Sequence, residues 1–261
     1  MILRYRHMRK TFLFKSVVVI SFIGISTLGC KKSDSDIAPA SSSTTPVPDV
    51  FSKMYGASSV TVDGDYVVIK STGLPDHKSP YYQGTQWSSQ YEAYNGTGTF
   101  TQNPNKIGSH SYTFRIPLNP VKATTSQATA LGAMGVSING VPFYNQYAGP
   151  NNQALTSEIY SFDQYAGHPD QSSTYHYHIE PVYLISTKGT SALLGFLLDG
   201  FPVYGPVENG LTITNSDLDA YHGHTSVTAD YPNGIYHYHI TSASPYINGS
   251  GFYGTAGTVS H

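Results

Sequence analysis

The sequence spells Tyr-His-Tyr-His twice, at residues 175–178 and 236–239, and each copy closes a longer pattern that also occurs twice. The stretch "MGVSINGVPFYN" at 134–145 aligns with "LGFLLDGFPVYG" at 194–205. Further along, both copies carry Asp-x-Tyr-x-Gly-His, in "FDQYAGH" and "LDAYHGH". Because the parts follow in the same order, the chain is predicted to contain a tandem repeat of about 60 residues.

Each repeat, over 134–193 and 194–253, has an apolar strand, an Asn/Asp-Gly turn, a Gly-His loop and a Tyr-His-Tyr-His strand. The turns at Asn139-Gly140 and Asp199-Gly200 are of the hairpin type. Two copies are too few for a solenoid, so we predict two pseudo-symmetric halves that pack on each other.

The rest of the chain also favours strands over helices. Hydrophobic residues make up 39% of the sequence and charged residues only 11%, with 22 Tyr and 25 Gly. Short apolar runs such as "YVVIK" and "YTFRIP" are bounded by turn residues. We therefore predict a single all-β domain over 51–261, with the choice between sandwich and barrel left open.

The N-terminal segment 1–29 has the pattern of a lipoprotein signal peptide. Five basic residues precede the apolar run "SVVVISFIGISTL", and the only cysteine, Cys30, follows directly after Gly29. We expect Cys30 to be lipidated, which would anchor the protein in the cell envelope, on the periplasmic face or the cell surface. The polar, Pro-rich residues 30–50 are predicted to be a flexible tether.

After cleavage before Cys30 the chain would be acidic. Nine Lys and Arg would remain against sixteen Asp and Glu, a formal net charge of about −7. A nucleic-acid groove is not expected, because phosphate binding requires clustered Lys and Arg. The sequence also lacks a phosphate-binding glycine loop, so no nucleotide is expected, and it lacks the HExxH and G-x-S-x-G motifs. With no second cysteine, any metal must be held by His, carboxylate or backbone oxygen.

The two histidines of each motif are spaced to share one face of a strand, with the tyrosines on the other face. A Gly-His loop before each strand can fold back and supply a third imidazole. The predicted ligands are therefore His168, His176, His178, His224, His237 and His239. His222 and His77 are weaker candidates. Imidazole suits both copper and zinc, and the sequence does not choose between them.

Several alternatives stay open. The histidines can instead be structural, with the tyrosines filling the core. Asp163 and Asp219 are either acceptors that orient an imidazole or turn residues. The two triplets form either one shared site or two separate sites, and we favour a shared site, since the longer Gly-His loop of the second copy looks adjusted to meet its twin.

The stretches "GHPDQSSTYHYH", "GHTSVTADYPNGIYHYH" and "GLPDHKSPYY" resemble motifs of the YHYH domain family of secreted or lipid-anchored bacterial proteins. The resemblance covers most of residues 60–253. It implies an extracytoplasmic domain and implies no reaction. One departure is that "DQSS" precedes the first motif where "YPNG" precedes the second, so the two sites need not be equivalent.

Three function classes follow. The favoured one is an extracytoplasmic lipoprotein that binds copper or zinc. The second is a metal-dependent enzyme, either a hydrolase or an oxidoreductase, that uses an open site of three histidines. The third is a structural or carbohydrate-binding β-domain without metal. Whether the protein is an enzyme is left open.

Overall fold

The structure is a computed structural model that describes residues 45–249 and 251–261. The predicted signal peptide, Cys30 and most of the predicted tether lie outside the described residues. The domain begins before residue 51, because Val47 and Val50 pack against the core and a 3-10 helix at Asp49–Lys53 buries Phe51. The last residues assigned to the tether therefore belong to the folded domain.

The fold is all-β, as predicted, and its strands are short. Those before the repeats are β1 Ser59–Asp63, β2 Tyr66–Ser71, β3 Tyr112–Pro117 and β4 Lys122–Gln127. Those of the first repeat are β5 Gly135–Ser137, β6 Pro142–Phe143, β7 Tyr147–Ala148, β8 Gln153–Ala154, β9 Gly167–Pro169 and β10 Tyr175–Tyr177. Those of the second repeat and the C-terminus are β11 Leu193–Leu197, β12 Pro202–Tyr204, β13 Val207–Glu208, β14 Leu211–Thr212, β15 Gly223–Ser226, β16 Ile235–His239, β17 Phe252–Gly254 and β18 Thr258–Ser260.

Helices are few and short in the part of the chain that the structure describes. One α-helix there, α1, spans Val182–Lys188. Besides the 3-10 helix at Asp49–Lys53, the 3-10 helices are Pro80–Tyr82, Ser88–Gln90, Glu158–Ser161 and Asn215–Asp217. Across the described residues, no helix combines the length and the apolar character needed to span a bilayer.

Two larger sheets contribute to one core. The first sheet is antiparallel, in the order β1-β2-β3-β18, and β3 alternates buried and half-buried side chains as a strand with one face on a core does. The second sheet has the order β15-β16-β12-β11-β5-β6-β10-β9. Its central strand β11, "LLGFL", is buried at every position. Ile69 and Phe114 of the first sheet share a cluster with Phe143 and Phe196 of the second, which is a sandwich-like arrangement.

The order of the second sheet places corresponding strands of the two predicted repeats at equal distances from its centre. The hairpins β5–β6 and β11–β12 meet through the antiparallel pair β11–β5. Outside them, β10 pairs parallel with β6, and β16 pairs parallel with β12. Strands β9 and β15 form the two edges. This order is the one that a pseudo-two-fold arrangement would give, and the duplication itself stays a prediction.

Both predicted hairpin turns are confirmed. The Gly140 N–H donates to the Ser137 carbonyl at 2.8 Å, and the Gly200 N–H donates to the Leu197 carbonyl at 3.0 Å. Both glycines have a left-handed backbone, with φ of 83° and 84°. Glycine adopts this conformation without the steric cost that a Cβ would add.

Candidate metal centres

The first tyrosine of each motif is anchored to the aspartate that precedes the Gly-His loop. The Tyr175 hydroxyl donates to Asp163 at 2.9 Å, and the Tyr236 hydroxyl donates to Asp219 at 2.9 Å. Each aspartate also accepts backbone N–H groups of its own loop, including that of Gly223 for Asp219 at 3.3 Å. Both aspartates are therefore turn residues that hold a tyrosine, and their hydrogen bonds do not orient the candidate ligand imidazoles.

The second tyrosine of each motif is anchored to the hairpin turn beside it. The Asn139 amide donates to the Tyr177 hydroxyl at 3.1 Å, and the Tyr238 hydroxyl donates to Asp199 at 2.6 Å. These tyrosines are fully buried. With the tyrosines fixed on one face, strand geometry directs the intervening histidines to the other face.

The first histidine cluster consists of His168, His176 and His178, and each of these residues is at most 3% exposed. The loop histidine is brought in by strand pairing, because His168 lies opposite His176 in the β9–β10 ladder. This is the fold-back that the loop length predicts. The His176 and His178 Nε2 atoms are 3.0 Å apart.

Carbonyl contacts fix the tautomers of this cluster. The Nδ1 of His176 contacts the Thr174 carbonyl at 2.9 Å, and the Nδ1 of His178 contacts the Asn145 carbonyl. A carbonyl only accepts, so each Nδ1 carries its proton and each neutral ring presents a lone pair at Nε2. Two Nε2 lone pairs thus face each other across 3.0 Å.

His168 Nδ1 contacts two side chains. The Ser161 hydroxyl lies 2.7 Å from it and 2.7 Å from the Glu158 carbonyl, and the Asn103 side-chain amide nitrogen lies 3.4 Å from it. The His168 Nε2 is buried without a hydrogen-bond partner in the described part of the chain and lies 3.5 Å from a Glu158 carboxylate oxygen. All three Nε2 atoms of the cluster are available to one cation.

The second histidine cluster consists of His224, His237 and His239, with Glu208 as a fourth member. His224 lies opposite His237 in the β15–β16 ladder. The His237 and His239 Nε2 atoms are 3.1 Å apart. Their Nδ1 atoms donate to the Ile235 carbonyl at 3.0 Å and the Gly205 carbonyl at 2.8 Å, so lone pairs face each other here as well.

Glu208 gives the second cluster a negative charge. Its carboxylate oxygens lie 3.1 Å from His224 Nε2 and 3.4 Å from His237 Nε2. The His224 contact lacks the alignment of a hydrogen bond, which leaves that Nε2 without a hydrogen-bond partner among the described residues. The Ser226 hydroxyl donates to the same carboxylate and helps to keep it ionised.

Burial disfavours protonation of the facing Nε2 atoms. Desolvation lowers the pKa of His176 to about 4 and that of His178 to about 3. It also lowers the pKa of His168 and of His237, and brings that of His239 to about 4. At neutral pH these imidazoles are uncharged, which is the form that coordinates metals.

The two clusters differ in their surroundings. Tyr144 stacks on His176 with ring centroids 3.8 Å apart, and Phe162 lies parallel to the His178 ring at 5.7 Å. In the second cluster Tyr204 meets His237 edge-on at 5.2 Å, and the His224 side chain is 26% exposed. The second cluster also borders a cavity of about 970 Å³ that His237, His239 and Glu208 help to line. The first cluster is enclosed and the second is open on one side.

The prediction of a shared site is wrong. Four strands, β6, β5, β11 and β12, separate β10 from β16. Neighbouring strands are about 4.8 Å apart, so the motif strands lie about 24 Å from each other along the sheet. The two triplets are separated because each motif strand pairs with the outer strand of its hairpin, β10 with β6 and β16 with β12.

The weaker candidates lie outside both clusters. His77 lies on the tyrosine face, where its Nε2 contacts the Tyr177 hydroxyl at 3.2 Å. The His222 Nε2 contacts the Thr241 hydroxyl at 3.0 Å and the Asn215 amide oxygen at 3.3 Å. Neither belongs to a group of ligand atoms close enough to hold one ion among the described residues.

Sequence reasoning missed both carboxylates. Glu208 and Glu158 lie outside the quoted motifs, and neither occupies the same place in both repeats. At the repeat offset of 60, Glu208 aligns with Ala148, so comparing the two repeats does not reveal it. The one available clue was that this carboxylate occurs in the second repeat alone.

The fold and these clusters define a class of β-sheet protein with two separate, histidine-rich centres that are chemically suited to a metal ion. A family model described as YHYH protein matches residues 113–211 and 207–251, which together cover more than half of the chain. The chain belongs to the YHYH family. Neither the comparison with curated proteins nor that with solved structures found a match.

Proposed function

We propose that the protein binds two transition-metal ions, one at each histidine cluster. The observation that carries this proposal is the pair of facing Nε2 atoms, 3.0 Å apart in the first cluster and 3.1 Å in the second. Two neutral imidazoles that both point lone pairs at each other repel, unless a cation lies between them. The depressed pKa values make a metal ion a better cation than a proton at neutral pH.

The distances fit such an ion. Two nitrogens at about 2.0–2.1 Å from a tetrahedral zinc ion lie about 3.3 Å apart, close to the separations observed. Three imidazoles suit zinc or copper, and the protein carbonyls that accept from Nδ1 hold the rings in the coordinating tautomer. The first cluster supplies three histidines, and the second supplies three histidines with Glu208.

We further propose that this metal-binding domain is lipid-anchored outside the cytoplasm and sequesters or carries copper or zinc there. The support for the anchor is the position of Cys30 directly after an apolar segment. The support for the role is the acidic chain, since a negative potential raises the local concentration of cations.

Elemental analysis of purified protein tests the metal sites. We expect two ions per chain, and one ion per chain after the double change His176→Ala with His178→Ala. The double change His237→Ala with His239→Ala should also leave one ion. His261→Ala, an exposed histidine outside both clusters, is the matched control. If both double variants fold, as judged from their melting temperatures, and still bind two metal ions per chain, the histidines are structural and the proposal is wrong.

A second candidate function, a metal-dependent enzyme, is favoured at the second cluster by the cavity beside it. A catalytic metal needs a coordination position that solvent or substrate can reach. Cobalt substitution followed by azide titration tests this idea. If azide changes the visible spectrum of the cobalt protein, and the change is lost with His237→Ala and His239→Ala, the second cluster has an open coordination position. An unchanged spectrum argues against a metal-dependent enzyme.

A further inference from the structure

The cavity beside the second histidine cluster has the size and lining of a small-molecule site. Its volume of about 970 Å³ is at the upper end of the range for ligand pockets. Apolar side chains form much of its wall, among them Leu193, Val207 and Val227. The imidazoles of His237 and His239 are 0% and 1% exposed, so they lie behind this wall.

The charges around this cavity are unevenly paired. Residues 123–261 contain nine carboxylates and a single basic residue, Lys188, and that lysine lines the cavity. Lys53 also lines it and pairs with Asp230. Glu208 faces the histidines. Of the two lysines in the lining, Lys188 is the one without a carboxylate partner among the described residues, so its ammonium group is free to meet an anion.

Lys188 is also held at the cavity by its neighbours. It is the last residue of α1, and its ammonium group lies 4.3 Å from the centre of the Tyr55 ring. Tyr55 lines the same cavity and donates its hydroxyl to Asp76 at 2.8 Å, which fixes the ring. The Lys188 side chain is exposed, and this ring contact holds its ammonium group at the cavity wall.

We infer that this cavity binds a small organic anion with an apolar or aromatic body. The body packs against the apolar wall, and the carboxylate or similar anionic group meets the Lys188 ammonium. This anion site does not depend on the metal sites proposed above.

Calorimetric titration of the metal-loaded protein with 2-naphthoate tests the inference, with the neutral 2-naphthamide as the matched ligand. We expect 2-naphthoate to bind one to one and at least about tenfold more tightly than the amide, the effect of one charge-assisted contact. Lys188→Met should reduce the naphthoate affinity to that of the amide. Lys70→Met, an exposed lysine on β2 outside the cavity, should leave both affinities unchanged.

The outcomes separate this inference from the proposed function. Equal affinity for the two ligands, or an affinity that Lys188→Met does not change in a protein with unaltered melting temperature, would overturn the inference. Two bound metal ions without naphthoate binding would overturn it alone. Lys188-dependent binding in a protein that holds no metal would support the anion site and contradict the metal sites.

Discussion

Asp199 provides a test of how the second motif strand is held. Its carboxylate is buried and accepts from the Tyr238 hydroxyl at 2.6 Å and from the Gly254 N–H at 2.9 Å. Burial raises its pKa from 3.8 to about 6, even though these hydrogen bonds favour the charged form. The equivalent position in the first repeat is Asn139, which anchors Tyr177 without a charge. The change Asp199→Asn therefore replaces a buried charge with the neutral group used by the other half.

The sign of the pH effect follows from the raised pKa. Between pH 4 and pH 6 the folded state holds the Asp199 proton more tightly than the unfolded state, so stability falls as pH rises through that window. One pKa unit corresponds to about 1.4 kcal/mol, so ionising Asp199 costs the folded state about 3 kcal/mol by pH 7. Asp199→Asn should remove this ionisation cost. It should also lose about 1 kcal/mol, because the new side-chain amide N–H₂ cannot accept the hydrogen bond that the Phe201 N–H donates to Asp199.

Urea unfolding at pH 4, 5, 6 and 7.5, with a chelator present, measures the effect. The histidines titrate in both proteins, so their contribution cancels in the difference between variant and parent. We expect the variant to gain about 2 to 3 kcal/mol relative to the parent between pH 4 and pH 7.5. If the difference in unfolding free energy between variant and parent stays constant with pH, ionisation of Asp199 does not destabilise the folded protein. The reasoning about its burial would then fail.

Three further predictions are independent of Asp199. Because burial lowers the pKa of His176 to about 4 and of His178 to about 3, metal affinity of the first cluster should hold down to about pH 5 and fall below it, as competition titrations would show. Gly140→Ala should destabilise by about 2 kcal/mol or more in thermal unfolding, since its Cβ would lie 2.5 Å from another side chain, whereas Gly64→Ala, with open space, should cost about 1 kcal/mol. Cys30→Ser should move the protein from the membrane fraction to the soluble fraction, and unchanged fractionation would contradict lipidation.

The fold class and the three histidines of each cluster were within reach of the sequence. Strand periodicity places His176 and His178 on one face, and a Gly-His loop of eight residues is long enough to return His168 to the same face. The hairpin turns follow from Asn139-Gly140 and Asp199-Gly200 because glycine tolerates the left-handed backbone they require. These are local properties, set by residues close together in the chain.

The separation of the two clusters was not within reach. It depends on which edge of each hairpin the motif strand joins, and β10 and β16 both join the outer edge. Nothing in the strands' own residues specifies that choice. The approach of Glu208 to His224 depends in the same way on the placement of another hairpin, β13–β14.

The pH window was also out of reach from residue types. The reference pKa of histidine, about 6.5, places proton competition between about pH 7 and pH 5. Desolvation lowers the pKa of His178 to about 3, and its cause is the packing of the whole sheet around that ring. A motif identifies the ligand atoms, whereas their protonation depends on burial that only the folded chain determines.

Anomalous X-ray diffraction at the metal edge, from crystals of the metal-loaded protein, tests the central claim most directly. The account predicts two separate anomalous peaks, one beside the Nε2 atoms of His168, His176 and His178, and one beside those of His224, His237 and His239. A single peak between the motif strands, or peaks away from both clusters, would contradict it.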